Sequence, residues 1–416
     1  MLMKRNGVMA MLLLAVLPLS AQSSFEEALA VIEQNNTTLR ALRQEGAAQK
    51  ADNRVGGALP DPEVGFNYLW GNPSVIGKRQ DISVSQEFDA ATVSGAKQRL
   101  AAAKDKSVDW QYAADRKALL LEAENCLCDL LYWNGLLQEL AVRKQHAQTL
   151  VDAQKHRMDK GEGNRLDYNS VVLSNAQVAG TLRQAETERQ LVIAQLTRLN
   201  GGKPLASWSL QAPGVQMPAS FEQWYAEVAA QSPMLAFAKS ELAVSQRQLS
   251  LAKTQALPSI SLGYMSEKTL GERYQGVTVG VSIPLWSGRR QIRQSKAAVV
   301  AAEARNEDAL VRYQAEAKAQ YERVLALRQV ADTYRQALGD MENTRLLKKA
   351  FDAGAISLID YTVGAAQYYE AVDKALEAER DYRKAWAALK AMCFSEKIYL
   401  PCRRGYTYLA REVYPL

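Results

Sequence analysis

Apolar and polar positions alternate in four short stretches of the chain. Val64, Phe66, Tyr68 and Trp70 are interleaved with Gly65, Asn67 and Leu69. Ile82, Val84, Gln86 and Phe88 are interleaved with Ser83, Ser85 and Glu87. Further on, Ile260, Leu262 and Tyr264 stand against Ser259, Ser261 and Gly263, and Val277, Val279, Val281, Ile283 and Leu285 against Thr278, Gly280, Ser282 and Pro284. A period of two with one apolar face predicts strands over about 62–71, 80–88, 259–266 and 276–285. Between these stretches the spacing changes to threes and fours. Ala123, Leu127, Leu130, Trp133, Leu137 and Leu140 form one stripe. Leu310, Tyr313, Ala317, Tyr321, Val324, Leu327, Ala331, Tyr334, Leu338 and Met341 form another. Such stripes predict helices that pack along their length, over about 96–158, 166–199, 289–351 and 358–391.

The pattern occurs twice. Ser24-Phe25-Glu26 returns as Ser220-Phe221-Glu222, and Ala58-Leu59-Pro60 as Ala256-Leu257-Pro258. Ser94-Gly95 returns as Ser287-Gly288, Asp159-x-Gly161 as Asp352-x-Gly354, and Leu166-Asp167-Tyr168 as Ile359-Asp360-Tyr361. The order is fixed, and the offset stays between 193 and 198 residues. Residues 96–158 and 289–351 are each 63 residues long and contain no proline. As helices they would each be ~95 Å long, against ~11–12 residues for an ordinary helix. Each then breaks at a glycine turn, Gly161-Glu162-Gly163 or Gly354, where glycine is a common helix stop. Asn164 and Ser357 are placed to cap the returning helices. The expected division is therefore a first repeat over 22–219, a second over 220–392 and a tail over 393–416.

The N-terminus modifies this picture. Lys4 and Arg5 precede an apolar run from Met9 to Leu19, ending in Leu19-Ser20-Ala21-Gln22. This is the form of a secretory signal peptide over 1–21, cleaved after Ala21. The run is shorter than the ~20 residues of a membrane-spanning helix, and no later segment reads as one. The net charge of +6 is spread along the chain without a basic block, so no nucleic-acid partner is expected.

Candidate chemistry is sparse. His146 and His156 are the only histidines; ten residues apart on one helix, they sit ~15 Å apart along its axis and cannot share a metal. No nucleophile–base arrangement and no phosphate-binding glycine loop is present, so no catalytic residue, cofactor or metal is expected. Cys126 and Cys128 point to different helix faces and cannot pair. Cys393 and Cys402 could pair after export or remain thiols.

The strands could form a soluble sheet packed on a helix, or they could lie in a membrane. Four strands cannot close a barrel, and open edges cannot sit in lipid. In a membrane, several chains must therefore share one barrel. A secreted coiled-coil scaffold or adhesin without a pore is the alternative, though it has no need of two hairpins with apolar faces.

The tandem units, the Ala-Leu-Pro strand starts, the Ser-Gly helix starts and the glycine turns resemble the TolC-like outer membrane efflux family. Val281-Ser282-Ile283-Pro284-Leu285-Trp286-Ser287-Gly288 and Gly354-Ala355-Ile356-Ser357-Leu358-Ile359-Asp360-Tyr361 are the most specific phrases. The resemblance covers about residues 24–392 and implies a mainly α fold with a β-barrel part. Each of the two tandem repeats would hold a β-hairpin and a long helical hairpin. A homotrimer would close a 12-stranded outer-membrane barrel joined to a periplasmic α-helical barrel. The chain would be a passive efflux duct and not an enzyme, working with a periplasmic adaptor and an inner-membrane pump.

The resemblance also implies roles for individual residues. Val64, Phe66, Tyr68, Ile260, Leu262, Val277, Val279 and Val281 would face outer-membrane lipid. Gly161, Gly163, Leu166, Asp167, Gly354, Leu358 and Ile359 would form the periplasmic tip where the adaptor docks. Asp360 would line the tunnel constriction, or equally serve as an ordinary acidic residue in a helix's first turn. The chain departs from some family members at the tip, with Ile356, Phe351 and Val363 where those members carry Arg, Tyr and Asp. Leu59-Pro60-Asp61-Pro62 resembles heavy-metal efflux members, without a His or Met cluster to support a metal cargo.

Overall fold

The computed structural model describes residues 25–204, 217–284, 287–339 and 343–392. The expected signal peptide over 1–21 and the tail over 393–416, with Cys393 and Cys402, lie outside the described residues. So do Leu285, Trp286 and Met341.

The first half runs α1 (Phe25–Asn35), α2 (Thr37–Val55), β1 (Glu63–Trp70), β2 (Lys78–Phe88), α3 (Ala90–Val93), α4 (Ala96–Asp159) and α5 (Arg165–Leu199). The second runs α6 (Phe221–Gln231), α7 (Pro233–Gln255), β3 (Ser259–Lys268), β4 (Arg273–Ser282), α8 (Ser287–Gly339), α9 (Asn343–Asp352) and α10 (Leu358–Ala391). Two helices precede each strand pair, outside the stripes that the periodicity marked. Polar caps separate them. The Asn36 side chain accepts from the Leu39 amide at 2.8 Å to start α2. Ser232 caps α7, whose first residue is Pro233, a position where proline's missing N–H costs nothing.

The 64 residues of α4 rise ~96 Å. The stretch 289–351, expected as one helix, falls into α8 and α9, with 340–342 outside the described residues. β4 ends at Ser282, before the expected 285; Pro284, just beyond, has no N–H to give a ladder. The short α3 had no signal in the periodicity. It is nucleated by Asp89, which accepts from the Thr92 amide at 2.7 Å.

All four strands form one antiparallel sheet in the order β1-β2-β3-β4. The central pairing joins the two hairpins, with Val84 opposite Tyr264 and Gln86 opposite Leu262. The sheet stands at the N-terminal ends of α4 and α8, and the glycine turns lie at the far ends of the long helices.

The buried core is confined to the helices. Phe25, Ala28 and Ile32 of α1 pack with Ala123, Leu127, Leu196 and Leu199. Further along α4, Tyr132, Leu136 and Leu140 pack with Ala185 of α5. In the second half Trp224 and Val228 meet Tyr313, Ala317, Tyr321, Val324, Tyr382, Trp386 and Leu389. Alanine recurs in each cluster because helix axes 8–10 Å apart leave little room between them. Cys126 and Cys128 are free thiols inside the first cluster. Burial pushes their pKa values up to about 11 and about 12, so both stay protonated and unreactive at neutral pH.

Candidate functional site

The pleat sorts the sheet into two contrasting faces. Ladder partners point the same way, so Val64–Val84–Tyr264–Val277 forms one row and Phe66–Ile82 lies beside it. Leu262 pairs with Val279 and Ile260 with Val281 on the same face. All eight strand residues expected to meet lipid thus share one face, and all are exposed, Phe66 to 63% and Val277 to 86%. The opposite face carries Gly65, Ser83, Ser85, Ser261, Gly263, Thr278 and Gly280. Three of its charges are paired with one another: Arg79 donates to Asp81 at 2.8 Å and reaches Glu267 at 3.1 Å. Among the described residues β1 pairs only with β2 and β4 only with β3, so both outer edges keep free backbone donors and acceptors.

Both turns at the other end close by the same backbone device. Gly161 has φ +75° and Gly354 has φ +71°, the left-handed region that suits glycine. The Glu162 amide donates to the Arg157 carbonyl at 3.0 Å, and the Ala355 amide to the Ala350 carbonyl at 2.9 Å. These are the long bonds of a Schellman stop. Gly163 serves a different purpose: a Cβ there would lie 2.7 Å from the Met158 backbone nitrogen. The Asn164 side chain then caps α5 through the Leu166 amide at 2.9 Å. Leu166 and Ile359 are exposed, while Asp167 and Leu358 are half-buried. Phe351 and Tyr361 pack across the second turn with ring centroids 5.1 Å apart.

Asp360 closes a capping box. Its carboxylate accepts from the Ser357 hydroxyl at 2.7 Å and the Ser357 amide at 3.2 Å, and its own amide donates to the Ser357 hydroxyl at 3.1 Å. The Ser357 hydroxyl, then the Ser357 amide, hold the carboxyl below its ordinary pKa.

One set of residues escaped the sequence reading. α4 and α10 run antiparallel and are laced by charge. The Lys390 ammonium donates to Glu124 at 2.7 Å, and Lys384 donates to both oxygens of Asp129 at 2.9 and 2.8 Å. Arg143 grips Asp373 with two bonds, at 2.9 and 2.7 Å. The Arg143 side chain is 5% exposed and its guanidinium lies 4.6 Å from the Tyr369 ring centroid. Burial pushes the Tyr369 phenol up to about 12. Arg143 continues the spacing of Leu136 and Leu140; a cation on an apolar stripe signals a buried partner. The partner's identity could not be read, because it lies 230 residues away.

Among the described residues, no group of three or more His, Cys, Asp or Glu side chains gathers as a metal site. No described helix is long and apolar enough to cross a membrane.

Residues 224–393 match the family model described as outer membrane efflux protein. Comparison with curated protein sequences finds no match. Solved structures give a similar fold over most of the chain. The CmeC outer membrane channel of Campylobacter jejuni matches with a TM-score of 0.72 at 14% identity, covering 88% of this chain and 85% of that one. The outer membrane protein VceC of Vibrio cholerae gives 0.69 at 14% identity, covering 89% and 97%. The open-state MtrE outer membrane channel of Neisseria gonorrhoeae gives 0.65 at 15%, covering 88% of each. The likeness to the TolC-like outer membrane efflux family read from the sequence is thereby borne out, by the family model over residues 224–393 and by the fold over 88–89% of the chain.

Proposed function

We propose that the chain is the outer-membrane exit duct of a tripartite efflux system, passively conducting substrates that an inner-membrane pump expels through a periplasmic adaptor. One observation carries this reading: a four-stranded sheet with an exposed apolar face and two unpaired edges stands at one end of a ~96 Å helix. Unpaired edges are excluded from lipid, and the smallest single-chain barrels need eight strands. Three copies, each joining its β1 to the β4 of the next, would close twelve strands and leave no edge.

On this reading the chain comprises two tandem repeats, over 22–219 and 220–392. The Gly-Ser-Thr face of the sheet lines the lumen, and the apolar face meets outer-membrane lipid. The helices cross the periplasm as a barrel. The tip formed by Gly161, Gly163, Leu166, Asp167, Gly354, Leu358 and Ile359 receives the adaptor. Asp360, exposed beside that tip, gives the constriction three carboxylates, one per subunit, which would favour cations.

The test is single-channel conductance of the purified protein in planar bilayers, alongside detergent-dependent, heat-modifiable trimer migration on a gel. Discrete conductance and a trimer are expected. A monomer that is fully soluble without detergent and does not conduct would overturn the duct and favour a secreted scaffold. Asp360→Asn should lower the cation preference; unchanged selectivity would remove Asp360 from the constriction while leaving the duct intact.

A further inference from the structure

The apolar face of the sheet changes character toward the hairpin turns. Past the rows of Leu262, Val64 and Phe66 come the aromatic side chains Tyr68 and Trp70, and cations stand in the same rows as those aromatics. Lys78 pairs with Trp70 in the ladder, and its ammonium lies 5.9 Å from the Tyr68 ring centroid. Lys268 pairs with Gln80 on one side and with Arg273 on the other. Arg273 donates to the Ser266 hydroxyl at 3.3 Å, and Ser266 shares the face of Ile82. Three cations therefore lie on one face and on three adjacent strands, Lys268 and Arg273 in the row of Tyr68 and Lys78 one step farther out in that of Trp70. All three are exposed, and none forms an ion pair among the described residues.

The acidic residues nearby are turned away. Asp81 and Glu267 belong to the opposite face and are held by Arg79. Glu272, in the turn, accepts the Tyr274 hydroxyl, and Tyr274 pairs with Glu267 on that same opposite face. The two hairpin tips sit side by side, a Cβ on Gly77 falling 3.2 Å from Leu270, so the cations form one belt.

We propose that Lys78, Lys268 and Arg273 bind the phosphate groups of a phosphorylated membrane lipid in the leaflet farthest from the helices. The inference rests on the membrane-barrel reading above and goes beyond it by naming a lipid class and its ligands. The order along the strands, an apolar band and then the rows of Tyr68 and Trp70 with the cations among them, places the charges at headgroup depth. The absence of acidic partners on that face leaves the three cations to the lipid. Each cation near an anionic surface contributes about 5-fold in affinity, so the three together contribute on the order of 100-fold per subunit.

The experiment uses the full chain in detergent, with lipid A, its dephosphorylated form and phosphatidylcholine as probes, and native mass spectrometry and thermal stabilisation as readouts. Lipid A is expected to be retained in preference to both others. Lys78→Gln/Lys268→Gln/Arg273→Gln should weaken its binding about 100-fold while leaving phosphatidylcholine unchanged. Lys268→Gln alone should weaken it about 5-fold, which keeps the test available should the triple variant fold poorly. Equal retention of lipid A and its dephosphorylated form, or equal binding by wild type and variants, would overturn the proposal. Displacement of lipid A by inorganic phosphate at millimolar concentration would replace it with a free-anion site. A protein that conducts and forms trimers but fails these lipid tests loses this inference alone, whereas one that neither inserts nor conducts loses the barrel reading as well.

Discussion

The sheet and the helical body use apolar side chains in opposite senses. In the body Leu127, Ile32, Val324 and Leu389 are fully buried, and the seam between α4 and α10 hides even an arginine. In the sheet a continuous apolar face is exposed, and the other face is mostly small and polar. Hydrophobic burial within one subunit accounts for the body. For the sheet it supplies little, so the sheet's stability must come from its surroundings.

The contrast can be broken most sharply at the seam. Asp373→Ala leaves the Arg143 charge buried without its carboxylate, a loss of about 3–5 kcal/mol. Urea unfolding of the detergent-solubilised protein should show it, and adding Arg143→Met should recover most of the loss. In the core, Leu127→Ala should cost about 2–5 kcal/mol, equally with and without lipid. Val279→Arg should behave in the reverse manner: about 2–4 kcal/mol lost on insertion into vesicles, with the helical circular dichroism unchanged. A loss that does not depend on lipid would mean that the sheet face is covered by protein.

The smallest expected effect is at the tip. Ser357→Ala removes the cap of α10 at about 1 kcal/mol. The Asp360 half of the same cap is pH-dependent. Its carboxyl is held below the ordinary range in the folded chain, so its contribution is complete above that range and is lost as pH falls through the depressed value. Hydrogen-exchange protection over residues 358–361 should fall in acid in the native protein, and this acid step should disappear in Asp360→Asn.

Most of the architecture was legible because it is written in local periods. Alternation located the strands to within a few residues, and the glycines at 161 and 354 marked the turns. The spacing Ser357-x-x-Asp360 is itself a capping signature, so the local role of Asp360 was as readable as any role in a pore. The helices ahead of each hairpin carried no such stripe, and the second of each pair begins at a polar cap and not at a change of period. The seam was missed for a different reason. Glu124, Asp129 and Arg143 look like ordinary helix residues until α10 is placed against them, and nothing local announces partners 230 to 266 residues away.

That separation governs how the molecule is made. α10 is the last described element, and α4 cannot neutralise Glu124, Asp129 and Arg143 until α10 has been synthesised and delivered. The first half therefore waits, incomplete, for nearly the whole chain, and contacts of such long sequence separation form slowly. A chain cut short before residue 358 would keep every described strand and both β-hairpins yet lack one of the helices that join its halves, a species suited to capture by chaperones or destruction by proteases. Among the described elements, α10 thus completes the seam only after all the others have been made.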